Sequence, residues 1–344
     1  ILIFVETNIS LLTTGVLGRP IFDKLKVSRE RLAYIIDSTC SPVSILVLFN
    51  GWGAYLLVQL NTAGAEDPVS VLMQTIALNF YPILTLALVF VTIALNRTYG
   101  PMHAIENGAR EPVKAAGGAF NEAPAPATNW LYMAIPLIIM IGGTIGFMIW
   151  TGEGDIRAGS GSQAILWSVV LATAAAFGFL VLSGREKGEA VNLGFKGMGD
   201  LLPAVTVIFL ALVLGDSLKA LGTGPFIAKL AGQVPAPWAI PAILFVVAGF
   251  TSFTSGTSWG TYAILIPVAV PLAVGAGIPV PLAIAAVMGG GVFGDHCSPI
   301  SDTTIIASLA AGCDHMEHVR TQLPYALVAG TGATLMYLAA GVLA

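Results

Sequence analysis

The sequence predicts an all-α integral membrane protein built from two related bundles whose helices are interrupted at polar breaks. Three observations predict it. The chain is 56% hydrophobic and only 10% charged, with a mean hydropathy of +0.85, whereas soluble domains carry about 25% charged residues. Runs of about 20 apolar residues, the length that crosses a hydrocarbon core of about 30 Å, recur along it. One short polar motif also occurs twice, each time inside an apolar run.

The uninterrupted runs are 69–96, 130–150, 163–183, 201–218, 238–254 and 322–344. Three others are broken: 32–60 contains SPVS, 249–274 contains TSGTSWGT, and 280–311 contains GDHCSPISDTT. The chain opens on ILIFVETNISLL, inside a hydrophobic element and without a signal-peptide n-region, so part of the first bundle is expected upstream of Ile1. Lys and Arg gather in loop 19–31, in 97–129 (Arg97, Arg110, Lys114) and in 184–199 (Arg185, Lys187, Lys196). Segment 61–68 has none, and 151–162 has only Arg157. The positive-inside rule places the first three loops in the cytoplasm. Single crossings at 32–60, 69–96, 130–150 and 163–183 alternate as that requires. The Pro-, Gly- and Ala-rich 97–129 reads as a flexible linker. The organisation is then a first repeat remaining in 1–96, a cytoplasmic linker at 97–129, connecting transmembrane helices at 130–199 and a second repeat at 200–344.

A net charge of −4 without a basic patch leaves no grip for nucleic acid, and the partners expected are the lipid bilayer and small solutes. Three cysteines, Cys40, Cys297 and Cys313, make no disulfide framework. Cys313, His315 and His318 are zinc-ligand types at a spacing that matches no standard pattern. An intramembrane aspartyl protease would need Gly where Val292 stands. The reading is therefore not an enzyme, and it calls for no cofactor.

The repeated motif is the most informative feature. STCSPVS at 38–44 aligns with DHCSPIS at 295–301, matching Cys40, Ser41, Pro42 and Ser44 to Cys297, Ser298, Pro299 and Ser301. Upstream of each lies a second polar interruption, ETNISLLTTG at 6–15 and TSFTSGTSWGT at 251–261. Two broken elements in the same order in each half are the signature of a transporter built from structural repeats.

Proline inside a spanning helix removes a donor and clashes with an upstream carbonyl. In hydrocarbon the freed groups must find protein or water, and Ser298, Ser301, Thr303 and Thr304 can supply partners. The broken backbone leaves carbonyls and helix ends facing a protected cavity, a cation site when carboxylates stand beside it. Asp295 and Asp302 are those carboxylates. A charge at the bilayer centre costs about 2.5–3.5 kcal/mol on insertion scales, which argues for function rather than packing. Na+ is hard and prefers oxygen ligands, and burial strengthens a carboxylate's hold on a proton. The two ions therefore compete for one group, which is the chemistry exchange requires.

Glu6, with Thr7 and Asn8, is expected to face the same cavity as Thr254, Ser255, Thr257 and Ser258. Asn50, Trp52 and Trp259 are either cavity residues that read a substrate or a membrane-interface turn. Asp37 is expected to pair with Arg31 or a neighbour, Asp216 to end a helix, and Asp314 and Glu317 to sit at an interface. Arg320, or a Lys or Arg in the segment expected upstream, is expected to neutralise an emptied carboxylate.

GDHCSPISDTT followed by AAGCDHMEHVRTQLPYAL resembles the signature of the NhaC family of sodium/proton antiporters. TSGTSWGTYAILIPVAVPL, LGTG at 221–224, ETNISLLTTG and STCSPVSILVLFNGWGA are similar to further family segments. The resemblance covers most of 1–60 and 200–330. It implies an inverted-repeat secondary transporter with interrupted helices and re-entrant hairpins, a homodimer in the plasma (inner) membrane, exchanging Na+ for H+ by an elevator-like shift. Some members of the wider superfamily instead couple Na+ or H+ to malate, lactate or amino acids, so a small organic substrate is the alternative.

Carried over by residue, the family motif points to Asp295, His296, Ser298, Ser301, Asp302 and Thr303, with Thr257 and Ser258 opposite. Na+ is expected at Asp295 and Asp302, and the proton at Asp295 and His296. An organic substrate would meet Glu6, Thr7, Asn8, Asn50, Trp52, Ser255 and Trp259. Ser38 and Ile45 stand where the first half would match Asp295 and Asp302, which implies one cation site per protomer.

Overall fold

Prolines, glycines and a few capping side chains decide where the helices of this chain stop. The computed structural model describes residues 7–48, 50–108, 131–154, 159–183, 220–233 and 235–344, with scattered positions between 188 and 217. Glu6, Asp216, most of the 201–218 run and residues 109–130 of the expected linker lie outside the described residues. In the first half, α1 (Thr7–Leu25), α2 (Arg29–Leu46) and α3 (Gly51–Thr62) lead into α4 (Pro68–Leu78), α5 (Phe80–Leu95) and the short α6 (Gly100–Glu106). α7 (Leu131–Thr151) and α8 (Gly161–Leu182) pack on each other, with Tyr132 stacked on Phe179. The second half holds α9 (Thr223–Ala231), α10 (Ile240–Ser255), α11 (Ser258–Ala276), α12 (Val280–Cys297), α13 (Asp302–Ala311) and α14 (His315–Leu343).

The all-α membrane reading holds. Among the described residues, six helices are long and apolar enough to cross a bilayer, or seven if the α2–α3 pair, bent by 49°, is one span. Their outward faces carry Phe90, Phe250, Val274 and Leu335, all exposed, as lipid contact requires.

The expected interruptions are present. α10 ends at Gly256, whose φ of 68° is the left-handed conformation that glycine adopts without strain, and α11 starts two residues later. α12 stops at Cys297, before Pro299. The first copy of the motif behaves differently, because α2 runs on through Pro42 to Leu46. There the break comes later, at 47–50, and Asn50 makes it. Its Nδ2 donates to the carbonyls of Ser44 (2.7 Å) and Val47 (2.9 Å), while its Oδ1 accepts from Gly53 N (3.1 Å).

A further break, between α4 and α5, falls inside the run expected to be continuous at 69–96. Pro82 explains it, since its ring excludes the carbonyl four residues back, that of Leu78, and α4 ends at Leu78. The Tyr337 hydroxyl of α14 lies 3.0 Å from that carbonyl and 2.8 Å from the carbonyl of Ala285 in α12.

α12 is the central helix, buried along most of its length. A Cβ at Gly290 would collide with the Phe245 carbonyl, so α10 and α12 meet backbone to backbone. Near the opposite end of the bundle, Arg31 does not pair with Asp37, as one expectation had it. Six residues apart on a helix is not a facing pair, and its guanidinium goes to Asn96 Oδ1 (3.0 Å), the Thr92 carbonyl (3.1 Å) and Glu106 (3.3 Å). The last of these ties α6 to α2. Arg19 and Arg29 reach across to α13, donating to the carbonyls of Leu309, Ala310 and Ala311.

Two substitutions test this account of the breaks. Asn50→Ala removes a cap and strands buried carbonyls, and should destabilise the protein by about 2 kcal/mol or more. Tyr337→Phe removes the hydroxyl shared between the Leu78 and Ala285 carbonyls and should cost about 1–3 kcal/mol. Both appear as lowered midpoints in thermal unfolding of the detergent-solubilised protein; an unchanged midpoint would count against the assigned roles.

Candidate cation site

The two breaks of the second half touch. A Cβ on Gly256 would clash with the carbonyl of Ile300, so the α10–α11 junction sits directly against the α12–α13 junction. Ser298 stitches them, its Oγ donating to the Phe253 carbonyl at 2.8 Å and accepting from Ile300 N at 3.3 Å. α13 then restarts with Ser301 as its N-cap, accepting from Thr304 N at 3.4 Å.

Asp295 lies at this junction in the last turn of α12 and is 1% exposed. Its Oδ2 accepts from Ser258 Oγ (3.3 Å), in the first turn of α11, and from Thr303 Oγ1 (3.4 Å), in the first turn of α13. Ser301 Oγ is 3.0 Å from Thr303 Oγ1. Oδ1 of Asp295 is buried without a hydrogen-bond partner. The starts of α11 and α13 favour the ionised carboxylate, and a carboxylate with one oxygen free and ringed by hydroxyls is an oxygen-rich setting that can take either a small hard cation or a proton.

The other expected residues distribute around it. Asp302 is exposed in the first turn of α13, its Oδ1 accepting from Thr303 N at 2.9 Å; its charge is felt at Asp295, yet it stands outside the buried cluster. His296 is buried and turns its ring to Tyr81 of α5, Nδ1 to hydroxyl 3.1 Å, and its Nε2 has no partner. Thr257 is half-buried and its carbonyl accepts from Thr261 (3.0 Å); Ser255 is exposed.

The first-half candidates form a neighbouring group. Trp52 Nε1 donates to Thr7 Oγ1 (3.1 Å), which in turn is 3.4 Å from Ser44 Oγ. The Trp52 ring lies 5.6 Å from Trp259 and 6.2 Å from Tyr262, and Tyr55 stacks on Trp259 at 4.7 Å. Tyr262 comes within reach of both Asp295 and Ser258. Asn8 buries an unpartnered Oδ1. Asn50, expected as a cavity residue, spends its side chain on the helix break. Arg320 is on the surface beside Glu317, 3.8 Å away.

Sequence reasoning missed a second buried carboxylate. Asp37 is fully buried, and its Oδ2 accepts from Gln322 Nε2 (2.7 Å) and Thr304 Oγ1 (3.2 Å), with His318 Nε2 at 3.9 Å. It precedes the STCSPVS copy by one residue, and that adjacency was the available signal. Among the described residues, no three His, Cys, Asp or Glu gather as a metal cluster. His315 and His318 instead bind Ser308, the Pro299 carbonyl and Gln322.

Comparisons with known proteins agree with this architecture. The crystal structure of the Alcanivorax borkumensis YdaH transporter, described as having an unusual topology, superposes with a TM-score of 0.53 over 97% of this chain and 84% of that one, at 14% identity. An uncharacterized protein of Haemophilus influenzae is 30% identical over 98% of this chain and 69% of its own length. The arginine/ornithine antiporter ArcD of Halobacterium salinarum is 33% identical over 42% of this chain, and a malate-2H(+)/Na(+)-lactate antiporter of Bacillus subtilis is 28% identical over 46%. The chain spans only 30% and 34% of these last two relatives. The model of the Na+/H+ antiporter family matches residues 32–342, and with the interrupted helices in place the conclusion is direct: the chain belongs to the Na+/H+ antiporter family.

Proposed function

We propose that the chain is a secondary antiporter that exchanges Na+ for H+ by alternating access, with Asp295 as the group for which the two ions compete. The observation that carries this reading is the Asp295 carboxylate, buried at the junction of two helix breaks with hydroxyls on Oδ2 and no partner on Oδ1. A buried anion is costly unless compensated. Na+ or H+ on Oδ1 provides that compensation, and loss of one must be matched by arrival of the other.

Ser258 and Thr303 orient the carboxylate and offer oxygens from α11 and α13. Ser301 orders Thr303, and Ser298 holds the two breaks together. An ion bound there bridges three helices, so binding and release are coupled to their relative position. Asp302, at the exposed entrance to the same turn, adds negative potential that draws cations inward. We place the protein in the plasma membrane and assign Na+ and H+ as its cargo; a homodimer is part of the same family-based reading.

A second reading is a carrier of a small organic solute coupled to Na+ or H+. The aromatic group of Trp52, Tyr55, Trp259 and Tyr262 beside Asp295 favours it, as do relatives named for malate and lactate or for arginine and ornithine.

The deciding experiment uses full-length protein in sealed liposomes with an internal pH dye and imposed Na+ gradients. Na+-driven proton movement without organic solute is expected. Proton or Na+ movement seen only with malate, lactate or an amino acid present would transfer the assignment to the carrier reading. In the same assay Asp295→Asn should reduce exchange to the level of empty liposomes while the protein still elutes as folded; wild-type exchange in this variant would remove Asp295 from the mechanism. Ser258→Ala should weaken apparent Na+ affinity about 10–100-fold, the size of effect expected when an orienting partner of a metal ligand is lost.

A further inference from the structure

Asp37, His318 and Ser308 form a buried polar line that the Asp295 site does not use. Gln322 fixes its polarity. The Gln322 Nε2 group donates to two acceptors, Asp37 Oδ2 (2.7 Å) and the His296 carbonyl (3.0 Å). Its Oε1 must then accept from His318 Nε2 at 2.9 Å, so His318 carries a proton on Nε2. At the other end, His315 Nε2 faces the Pro299 carbonyl at 2.7 Å and must donate to it. Neutral imidazoles with Nε2–H present bare Nδ1 acceptors.

Both Nδ1 atoms point at one hydroxyl. Ser308 Oγ lies 2.9 Å from His318 Nδ1, 3.1 Å from His315 Nδ1 and 2.7 Å from the Thr304 carbonyl. One hydroxyl proton cannot serve three acceptors. A single added proton relieves the conflict: with His318 as imidazolium, its Nδ1–H donates to Ser308 Oγ, whose own proton is free to serve His315 or Thr304. The new positive charge sits 3.9 Å from the Asp37 carboxylate, whose Oδ1 has no hydrogen-bond partner. His318 and Asp37 are fully buried, whereas His315 is half-exposed, so the line runs from the surface to the buried carboxylate.

We propose that Asp37 and His318 form a second proton-carrying site of the exchange, filled from the surface through His315 and Ser308. The proposal rests on the antiporter reading above and extends it. A proton arriving on His315 Nδ1 is passed to Ser308 Oγ as the hydroxyl proton moves to His318 Nδ1, leaving His315 neutral, Ser308 unchanged and His318 charged against Asp37. The ionisable groups whose charge Asp37 influences are His318 (α14), His296, Cys297 and Asp295 (α12), Tyr81 (α5) and Asp302 (α13). The two imidazoles are the bases among them, and His318 is the one joined to the surface.

The site is wired to the Asp295 junction. Thr304 Oγ1 lies 3.2 Å from Asp37 Oδ2 and 3.4 Å from the Asp295 carbonyl, and Gln322 spans Asp37 and the His296 carbonyl. Loading or unloading the pair therefore acts on the last turn of α12, where the first ion binds.

The test measures charge per cycle in liposomes whose potential is set by K+ and valinomycin. Two protons against one Na+ move a net charge, so wild-type exchange should respond to an imposed potential. Asp37→Asn and His318→Gln should each lose that response and exchange one proton per Na+; a wild-type response in either overturns the proposal. Ser308→Ala retains both charged partners and should keep the potential response and the KM for Na+ while turnover falls about a hundredfold, the low end for a lost proton-transfer group. Wild-type turnover in that variant removes the relay. Infrared pH-difference spectra of the solubilised protein give a reading independent of transport. One of the four histidines is missing in His318→Gln, so the imidazolium bands are expected to lose one histidine's share relative to wild type while the others remain; identical bands in the two proteins overturn the second site even if Na+/H+ exchange is found. Conversely, a band lost with His318 but no Na+-driven proton flow would sink the antiporter reading and the site's role in exchange, leaving only a protonatable Asp37–His318 pair.

Discussion

A backbone group freed inside a bilayer has no water to turn to, and the rest of this structure depends on how that constraint is met. Each break in a helix is answered by a side chain, in most cases from another part of the chain. Asn50 spans the α2–α3 gap, Tyr337 takes the Leu78 carbonyl freed by Pro82, Ser298 takes that of Phe253, and His315 takes that of Pro299. Because most of these partners belong to other helices, every break is also a point of attachment. The junctions of α10 with α11 and of α12 with α13 are consequently pressed together and held, and a carboxylate placed there is surrounded by groups whose positions are fixed before any ion arrives.

The two halves of the chain use that arrangement unequally. In the second half the motif coincides with the break and Asp295 stands in it. In the first half the helix continues through Pro42, the break is displaced to Asn50, and the acid is Asp37, buried alongside the second-half break rather than beside its own. Both carboxylates therefore converge on the same turn of α12. One is surrounded by hydroxyls and suits a cation; the other is surrounded by an amide and an imidazole and suits a proton.

Much of this was legible in the sequence because breaks are local. The prolines, Gly256 and the runs of Ser and Thr mark two of the interruptions directly, and the clustering of acids in GDHCSPISDTT marks Asp295. The α4–α5 break was missed although Pro82 forecasts it, since the apolar run hides it. Asn-Gly-Trp-Gly fits a cavity residue or a membrane-interface turn equally, because it says nothing of which carbonyls lie behind Asn50. Asp37 itself stands next to the first copy of the motif, but its partners were not legible: Thr304 and Gln322 are 267 and 285 residues away, and only the packing of α2 against α13 and α14 brings them together. Asp302 lies close to Asp295 in sequence yet stands exposed at a helix start, its Oδ1 accepting from Thr303 N.

The grip of Arg19 and Arg29 on the last carbonyls of α13 has a consequence for how the molecule can move. A guanidinium keeps its proton across the whole biological range, so this clasp stays charged whatever the acidity around it. α13 is thereby anchored by a joint that no change of acidity loosens, and the first helices of the chain travel with it. Helices α1, α2 and α13 are therefore clasped as one unit at any pH.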